Sequence, residues 1–88
     1  MSEKDILVVS ETSRDAKAAW VKFKDLFFDR PWIDRMFTHP VPMFVLKDGS
    51  EIIFISRDKL AVRREGWRGQ IYPDSMINQV VRNRYGYS

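Results

Sequence analysis

The clearest pattern along the chain is an amphipathic helix near its start. Apolar residues recur at spacings of three and four, and most charged residues fall outside this stripe. The stripe consists of Ala16, Ala19, Trp20, Phe23, Leu26 and Phe27. Thr12 or Ser13 can cap the helix start, and Pro31 disfavours a helical conformation in the residue before it. The pattern therefore predicts a helix that begins at residue 12 or 13 and ends by Arg30.

A short apolar run precedes this helix and a proline-rich segment follows it. Residues 6–9 read Ile-Leu-Val-Val, which predicts a buried strand. Beyond the helix, Pro31 suits the first position of a short helical turn over residues 32–37. Pro40 and Pro42 then predict an extended path into the next strand.

From residue 43 onward the pattern changes to short strands separated by turns. Residues 43–47 and 51–56 flank Asp48-Gly49, a dipeptide that favours a tight hairpin turn. The second of these strands contains four consecutive apolar residues, which is typical of a central strand covered on both faces. The sequence thus predicts a β-hairpin whose second strand is buried.

The hairpin is expected to continue into an antiparallel meander. Residues 60–64 are interpreted as its third strand, with Arg64 on the face of Leu60 and Val62 and with Arg63 on the opposite face. A glycine-bracketed turn at residues 65–69 follows, and residues 70–72 would make a fourth strand if they join the sheet. The predicted sheet therefore has three or four strands in the meander.

A final helix is predicted after Pro73, with Asp74 as its cap and Gly86 as its stop signal. Its inner face would consist of Met76, Ile77, Val80, Val81 and Tyr85. The whole pattern predicts a single α+β domain over residues 1–88: a strand and an amphipathic helix, an antiparallel meander, and a C-terminal helix.

Composition narrows the class of protein. Apolar residues make up 44% of the 88 positions, which is enough for a folded core, and the absence of cysteine excludes disulfides, thiolate zinc sites and thiol nucleophiles. The charged start does not read as a signal peptide, and no apolar run approaches the length of a membrane span. We therefore expect a cytoplasmic domain with no membrane association.

The residues needed for common catalytic sites are not arranged in the sequence. His39 is the only imidazole and stands beside Pro40, so neither a metal site nor a nucleophile–base pair has a recognisable spacing. The four glycines form no phosphate-cradling motif. We expect a non-enzymatic protein without metal or small-molecule cofactor, although an active site made only of carboxylates stays as an open alternative.

Positive charge is concentrated in the second half of the chain. Residues 1–44 carry seven basic and seven acidic side chains, whereas residues 45–88 carry eight basic and five acidic ones. Arginine and tryptophan are frequent at interface hot spots, which favours this half as the binding region. The predicted partner-binding residues are Arg57, Lys59, Arg63, Arg64, Trp67, Arg68, Arg82 and Arg84.

Two functions fit these residues. The first is a small regulator or adaptor that docks on a larger protein or nucleoprotein partner; stand-alone inhibitors encoded by phages or mobile elements are often of this size. The alternative is direct binding of nucleic acid, with the arginines on the phosphate backbone. Trp67 has two interpretations as well: a stacking surface between Arg64 and Arg68, or a lid on the core.

Overall fold

The computed structural model describes residues 3–86. Within this part of the chain, five strands form one mixed sheet and three α-helices pack on it. The strands are β1 (Ile6–Ser10), β2 (Ile33–Phe37), β3 (Met43–Leu46), β4 (Glu51–Ser56) and β5 (Gln70–Pro73). The helices are α1 (Ser13–Phe27), α2 (Leu60–Arg64) and α3 (Ile77–Tyr85). Short 3-10 turns precede α2 and α3, at Arg57–Lys59 and Asp74–Met76.

The strand order is β2-β3-β4-β1-β5, which corrects the predicted meander. β2, β3 and β4 are antiparallel neighbours, but β1 lies between β4 and β5 and runs parallel to both. The chain from β4 therefore crosses over β1, through α2, before it forms β5. The domain is α+β as predicted, but its sheet contains both parallel and antiparallel pairs. Parallel neighbours need a crossover connection, which a meander of hairpins cannot supply.

Two local predictions were wrong. Residues 60–64 form helix α2 and not a third meander strand, and residues 33–37 form strand β2 and not a helical turn. Both segments are only five residues long, and the apolar pattern of so few residues does not distinguish a strand from a helical turn. In each case the partner element decides the conformation: β2 pairs with β3, and α2 forms part of the crossover and packs Leu60 on the sheet.

The longer patterns were predicted correctly. α1 begins at Ser13, with the Thr12 hydroxyl accepting a hydrogen bond from the Asp15 N–H at 3.1 Å. The β3–β4 hairpin turns at Asp48-Gly49, and Gly49 has a φ of 88°, a conformation that glycine adopts without steric cost. A strand also forms at β5, although it pairs with β1.

The main core lies between one face of the sheet, called here the first face, and helices α1 and α3. Aromatic rings fill much of it, and Phe23 contacts Phe27, Phe44 and Phe54 at centroid distances of 4.7 to 5.9 Å. The apolar stripe predicted for α1 is buried at Ala16, Trp20, Phe23 and Phe27. Burial of these large rings supplies most of the apolar area on which a domain of this size depends.

The opposite, second face of the sheet carries a smaller core. Leu7, Ile53 and Ile55 are buried there, and Leu60 and Trp67 pack against them from the crossover segment. Because α2 has only five residues, it covers only part of this face. The part near β5 stays more open, and Ile71 keeps 37% of its surface exposed.

Candidate partner-binding site

The predicted binding residues between 57 and 68 lie close together because α2 is a helix. Five residues span about 7.5 Å in a helix, against about 16 Å in the strand that the sequence predicted. The turn at Arg57–Lys59 and the loop after Arg64 are thereby drawn toward each other. We call the resulting group the α2 surface; it consists of Arg57, Lys59, Val62, Arg63, Arg64 and Arg68.

One member of the α2 surface is apolar and exposed. Val62 is 78% exposed, the largest exposed fraction among the bulky apolar residues of the described chain. In the predicted strand it would have shared a buried face with Leu60. In the helix only Leu60 turns toward the second-face core, and Val62 points outward.

The two arginines beside Val62 are available to a partner. Among residues 3–86, no carboxylate forms an ion pair with Arg63 or Arg64, and neither guanidinium has a hydrogen-bond acceptor within the described chain. Across residues 57–68 there are five basic and two acidic side chains. Arg63 and Arg64, which have no carboxylate partner within the described chain, favour an acidic binding partner.

Arg57 differs from Arg63 and Arg64 because it forms an ion pair with a carboxylate. Its Nη1 atom lies 3.2 Å from Glu11 Oε2, and both side chains are largely exposed. Exposed pairs of this kind contribute little, typically between 0 and 1 kcal/mol. An incoming carboxylate can therefore replace Glu11 without a large cost in stability.

Trp67 is half-buried and packs against the core. Its ring packs against the second-face cluster, and its indole N–H donates a hydrogen bond to the Gln70 carbonyl at 3.3 Å. Of the two interpretations that the sequence left open, this geometry corresponds to the lid. Trp67 thus fixes the loop after α2 and supports the α2 surface from beneath.

Arg82 and Arg84 lie in a separate place. They belong to α3, which packs on the first face of the sheet, whereas α2 lies on the second. The Arg82 guanidinium stands 5.6 Å from the Phe27 ring, and Arg84 Nη1 donates to the Lys4 carbonyl at 2.7 Å. The eight residues predicted for binding therefore form two groups, and those on α3 have contacts inside the fold.

A crevice beside the α2 surface was not predicted from the sequence. It has a volume of about 290 Å³ and opens at the carboxyl ends of β1 and β5. Its lining residues are Val9, Ser10, Glu11, Arg57, Leu60, Ile71, Tyr72 and Pro73. Only the parallel pairing of β1 with β5 and the crossover through α2 bring these residues together, and no local pattern in the sequence encodes that arrangement.

The polar side chains at this end of the sheet are bonded to each other. Ser10 Oγ donates to Asp74 Oδ2 at 2.7 Å, and Ser56 Oγ donates to Asp58 Oδ1. The hydrogen bond from Ser56 lowers the pKa of the Asp58 carboxyl below its ordinary value, with a small opposing effect of burial. These pairs hold the ends of β1 and β4 in place, and the crevice beside them is mainly apolar.

No cluster of three or more potential metal ligands occurs among residues 3–86. His39 is exposed in the loop between β2 and β3, where a cis peptide bond joins it to Pro40. In the same range, no helix is both long and apolar enough to cross a membrane.

Comparison with known proteins adds no relative: no protein-family model, curated protein or solved structure matches this chain.

Proposed function

We propose that this chain is a non-enzymatic adaptor or regulator that docks on an acidic surface of a larger protein through the α2 surface. The observation that carries the proposal is the exposure of Val62 in the same short helix as Arg63 and Arg64, which have no ion-pair partner within residues 3–86. Arginine is enriched at protein interface hot spots, and an exposed apolar side chain in the same helix adds area that a partner can bury.

The rigidity of the supporting elements favours the same function. Leu60 and Trp67 anchor the two ends of the surface on buried strands β1 and β4. A surface held in this way loses little conformational entropy on binding, so more of the contact energy appears as affinity.

A charge-reversal experiment tests this proposal. The double variant Arg63→Glu, Arg64→Glu is compared with Lys17→Glu, Lys22→Glu, which makes the same charge change on the exposed side of α1. Proteins captured from native extract by the parent chain are quantified for each variant. We expect the α2 variant to lose its partner and the α1 variant to retain it, since like charges across an interface are repulsive. Equal capture by both variants would sink the proposal.

The second candidate, direct nucleic-acid binding, is favoured by the same unpaired cations, Arg63 and Arg64. It predicts affinity for any duplex or single strand that falls steeply with salt, because phosphate contacts release counterions. Val62 gives no advantage on a phosphate backbone, and the packing of half-buried Trp67 against the core leaves less of its ring for the stacking that single-strand binders use. Nuclease treatment separates the two candidates: capture that disappears after treatment supports nucleic acid.

A further inference from the structure

The second face of the sheet continues over β2 and β3, beside the part on β1 and β4 that Leu60 and Trp67 cover. Residues directly opposite each other on neighbouring strands project from the same face, and Ile53 of β4 belongs to the second-face core. The register therefore places two rows of side chains across β2, β3 and β4 on this face: Arg35, Val45 and Glu51 form one row, and Phe37, Met43 and Ile53 form the other.

The β2 and β3 end of these rows is accessible to a partner. Phe37 keeps 37% of its surface exposed, and the Arg35 side chain keeps 66%. The Arg35 guanidinium lies 5.8 Å from the centre of the Phe37 ring, which holds it over the same face. Met43, Val45 and Glu51 are half-buried. These five residues are called here the open face.

The charges of the open face indicate what covers it. Arg35 and Glu51 lie on either side of Val45, about 10 Å apart across two strand spacings. Arg35 forms an exposed pair with the adjacent Asp34 at 3.7 Å, which contributes little, and within residues 3–86 no ion pair involves Glu51. A uniformly charged partner would match only one of the two charges. A second copy of the chain carries both, in reverse order, when it faces the first across a two-fold axis.

We infer that two copies of the chain form a symmetric dimer through their open faces. With the two-fold axis along β3, Val45 of one copy meets Val45 of the other, and each Arg35 lies opposite Glu51 of the facing copy. The two sheets then pack with aligned strands, a usual arrangement of sheets that stack face to face. Burial of the apolar side chains supplies affinity, and the ion pairs fix the register. The inference is independent of the docking proposed for the α2 surface, because it uses a different part of the chain.

Sedimentation velocity of the full 88-residue chain tests the dimer at concentrations from about 10 μM to about 1 mM. The contact area is small, so we expect the parent to dissociate within this range. Arg35→Glu and Glu51→Arg each place like charges at both ends of the contact, and each should weaken the dimer at least about tenfold. The control Lys17→Glu makes the same charge change as Arg35→Glu on the exposed side of α1 and should leave dimerisation unchanged.

Mixing the two single variants gives the sharpest readout. The Arg35→Glu copy carries two carboxylates in its open face and the Glu51→Arg copy carries two guanidinium groups, so a mixed dimer regains both ion pairs. We expect the mixture to dimerise within about threefold of the affinity of the parent, a recovery that misfolded variants would not give. In the parent, the methyl resonances of Met43 and Val45 should shift with concentration, while those of Val21, exposed on α1, stay in place.

The inference is overturned if the parent stays monomeric up to about 1 mM, if either charge reversal leaves dimerisation unchanged, or if the mixture does not dimerise. Concentration-dependent shifts confined to Val62 would place the self-contact on the α2 surface and would also overturn it. The same holds for a monomeric chain whose Val45 methyl groups shift only when native extract is added, because another protein then covers the open face.

Discussion

Two backbone segments approach each other closely at Gly69. A Cβ atom at this position would lie 2.1 Å from the Asp5 carbonyl oxygen and 2.8 Å from its carbon. Asp5 is buried and cannot retreat easily, since Gln70 N donates to its carbonyl at 2.8 Å and Glu51 N donates to its Oδ1 at 2.9 Å. Position 69, directly before β5, therefore has no room for a Cβ atom, so only glycine fits there.

We predict that Gly69→Ala lowers the free energy of unfolding by about 2 kcal/mol or more, the upper part of the range for overpacked sites. Urea denaturation measures the change. The control Ser75→Ala, at an exposed position before α3, should stay within about 0.5 kcal/mol of the parent. If Gly69→Ala were equally mild, the close approach of Gly69 to Asp5 would be refuted.

Asp48 links the β3–β4 turn to the end of α3. Its carboxylate accepts hydrogen bonds from Ser50 N at 2.9 Å, from Ser50 Oγ at 2.5 Å and from the Tyr85 hydroxyl at 3.0 Å. Partial burial on its own would raise the pKa of Asp48, but the bonds from Ser50 and Tyr85 outweigh it and lower the pKa below the ordinary 3.8. The ionised form is thus the one that the fold stabilises.

This shift gives stability a defined pH dependence. Because the pKa of Asp48 is lower in the folded chain, its contribution is complete above the unfolded value of 3.8 and is lost as pH falls through the folded value. We predict that Asp48→Asn lowers stability near neutral pH and makes the decline below about pH 4 shallower. Urea midpoints across this range measure it. A decline as steep as that of the control Asp25→Asn, an exposed carboxylate of α1, would contradict the prediction.

At the level of elements, the sequence was most informative where a pattern is long or a turn is specific. α1 extends over four turns of consistent apolar spacing, and Asp48-Gly49 permits few alternatives to a hairpin. Residues 60–64 lack both signals, so their conformation depends on the crossover between β4 and β5. That crossover follows from long-range parallel pairing, which a reading of neighbouring residues does not contain.

The helical state of residues 60–64 is directly testable. A strand would bury Leu60 and Val62 on one face, whereas in α2 only Leu60 contacts the core. We predict that Val62→Ser changes stability by less than about 0.5 kcal/mol and that Leu60→Ser costs about 2 kcal/mol. Denaturation of both variants under the same conditions measures the contrast. Similar losses for the two would favour the strand.

For the molecule as a whole, the sheet edges are poor docking sites. β2 has an irregular register between Ile33 and Arg35 and carries charged residues on its edge. On β5, Gln70 N–H points toward β1, so by alternation position 73 faces outward, where Pro73 has no N–H to offer. Irregular, charged and proline-bearing edges resist strand addition. The side chains of the α2 surface are therefore a better docking site than either edge of the sheet.

The candidate site itself was predicted in part. The basic residues at 57–68 were identified from charge and composition, but their closeness depends on the helical state of α2. The exposure of Val62 and the neighbouring crevice depend on the mixed sheet topology. Arg82 and Arg84 belong to the same charge excess in the sequence and yet lie on the other side of the sheet, because α3 packs on the first face.

Photo-crosslinking from position 62 tests the docking function most directly. Val62 is replaced by a photoreactive benzoylphenylalanine, and Gln79, exposed on α3, is replaced in the same way in a second chain as the control. After irradiation in native extract, cross-linked proteins are identified by mass spectrometry. We predict that position 62 cross-links to one defined protein, that Arg63→Glu, Arg64→Glu abolishes this product, and that position 79 does not yield it. Cross-links to that protein from position 79 but not from position 62, or no protein cross-linked from position 62, would contradict docking through the α2 surface.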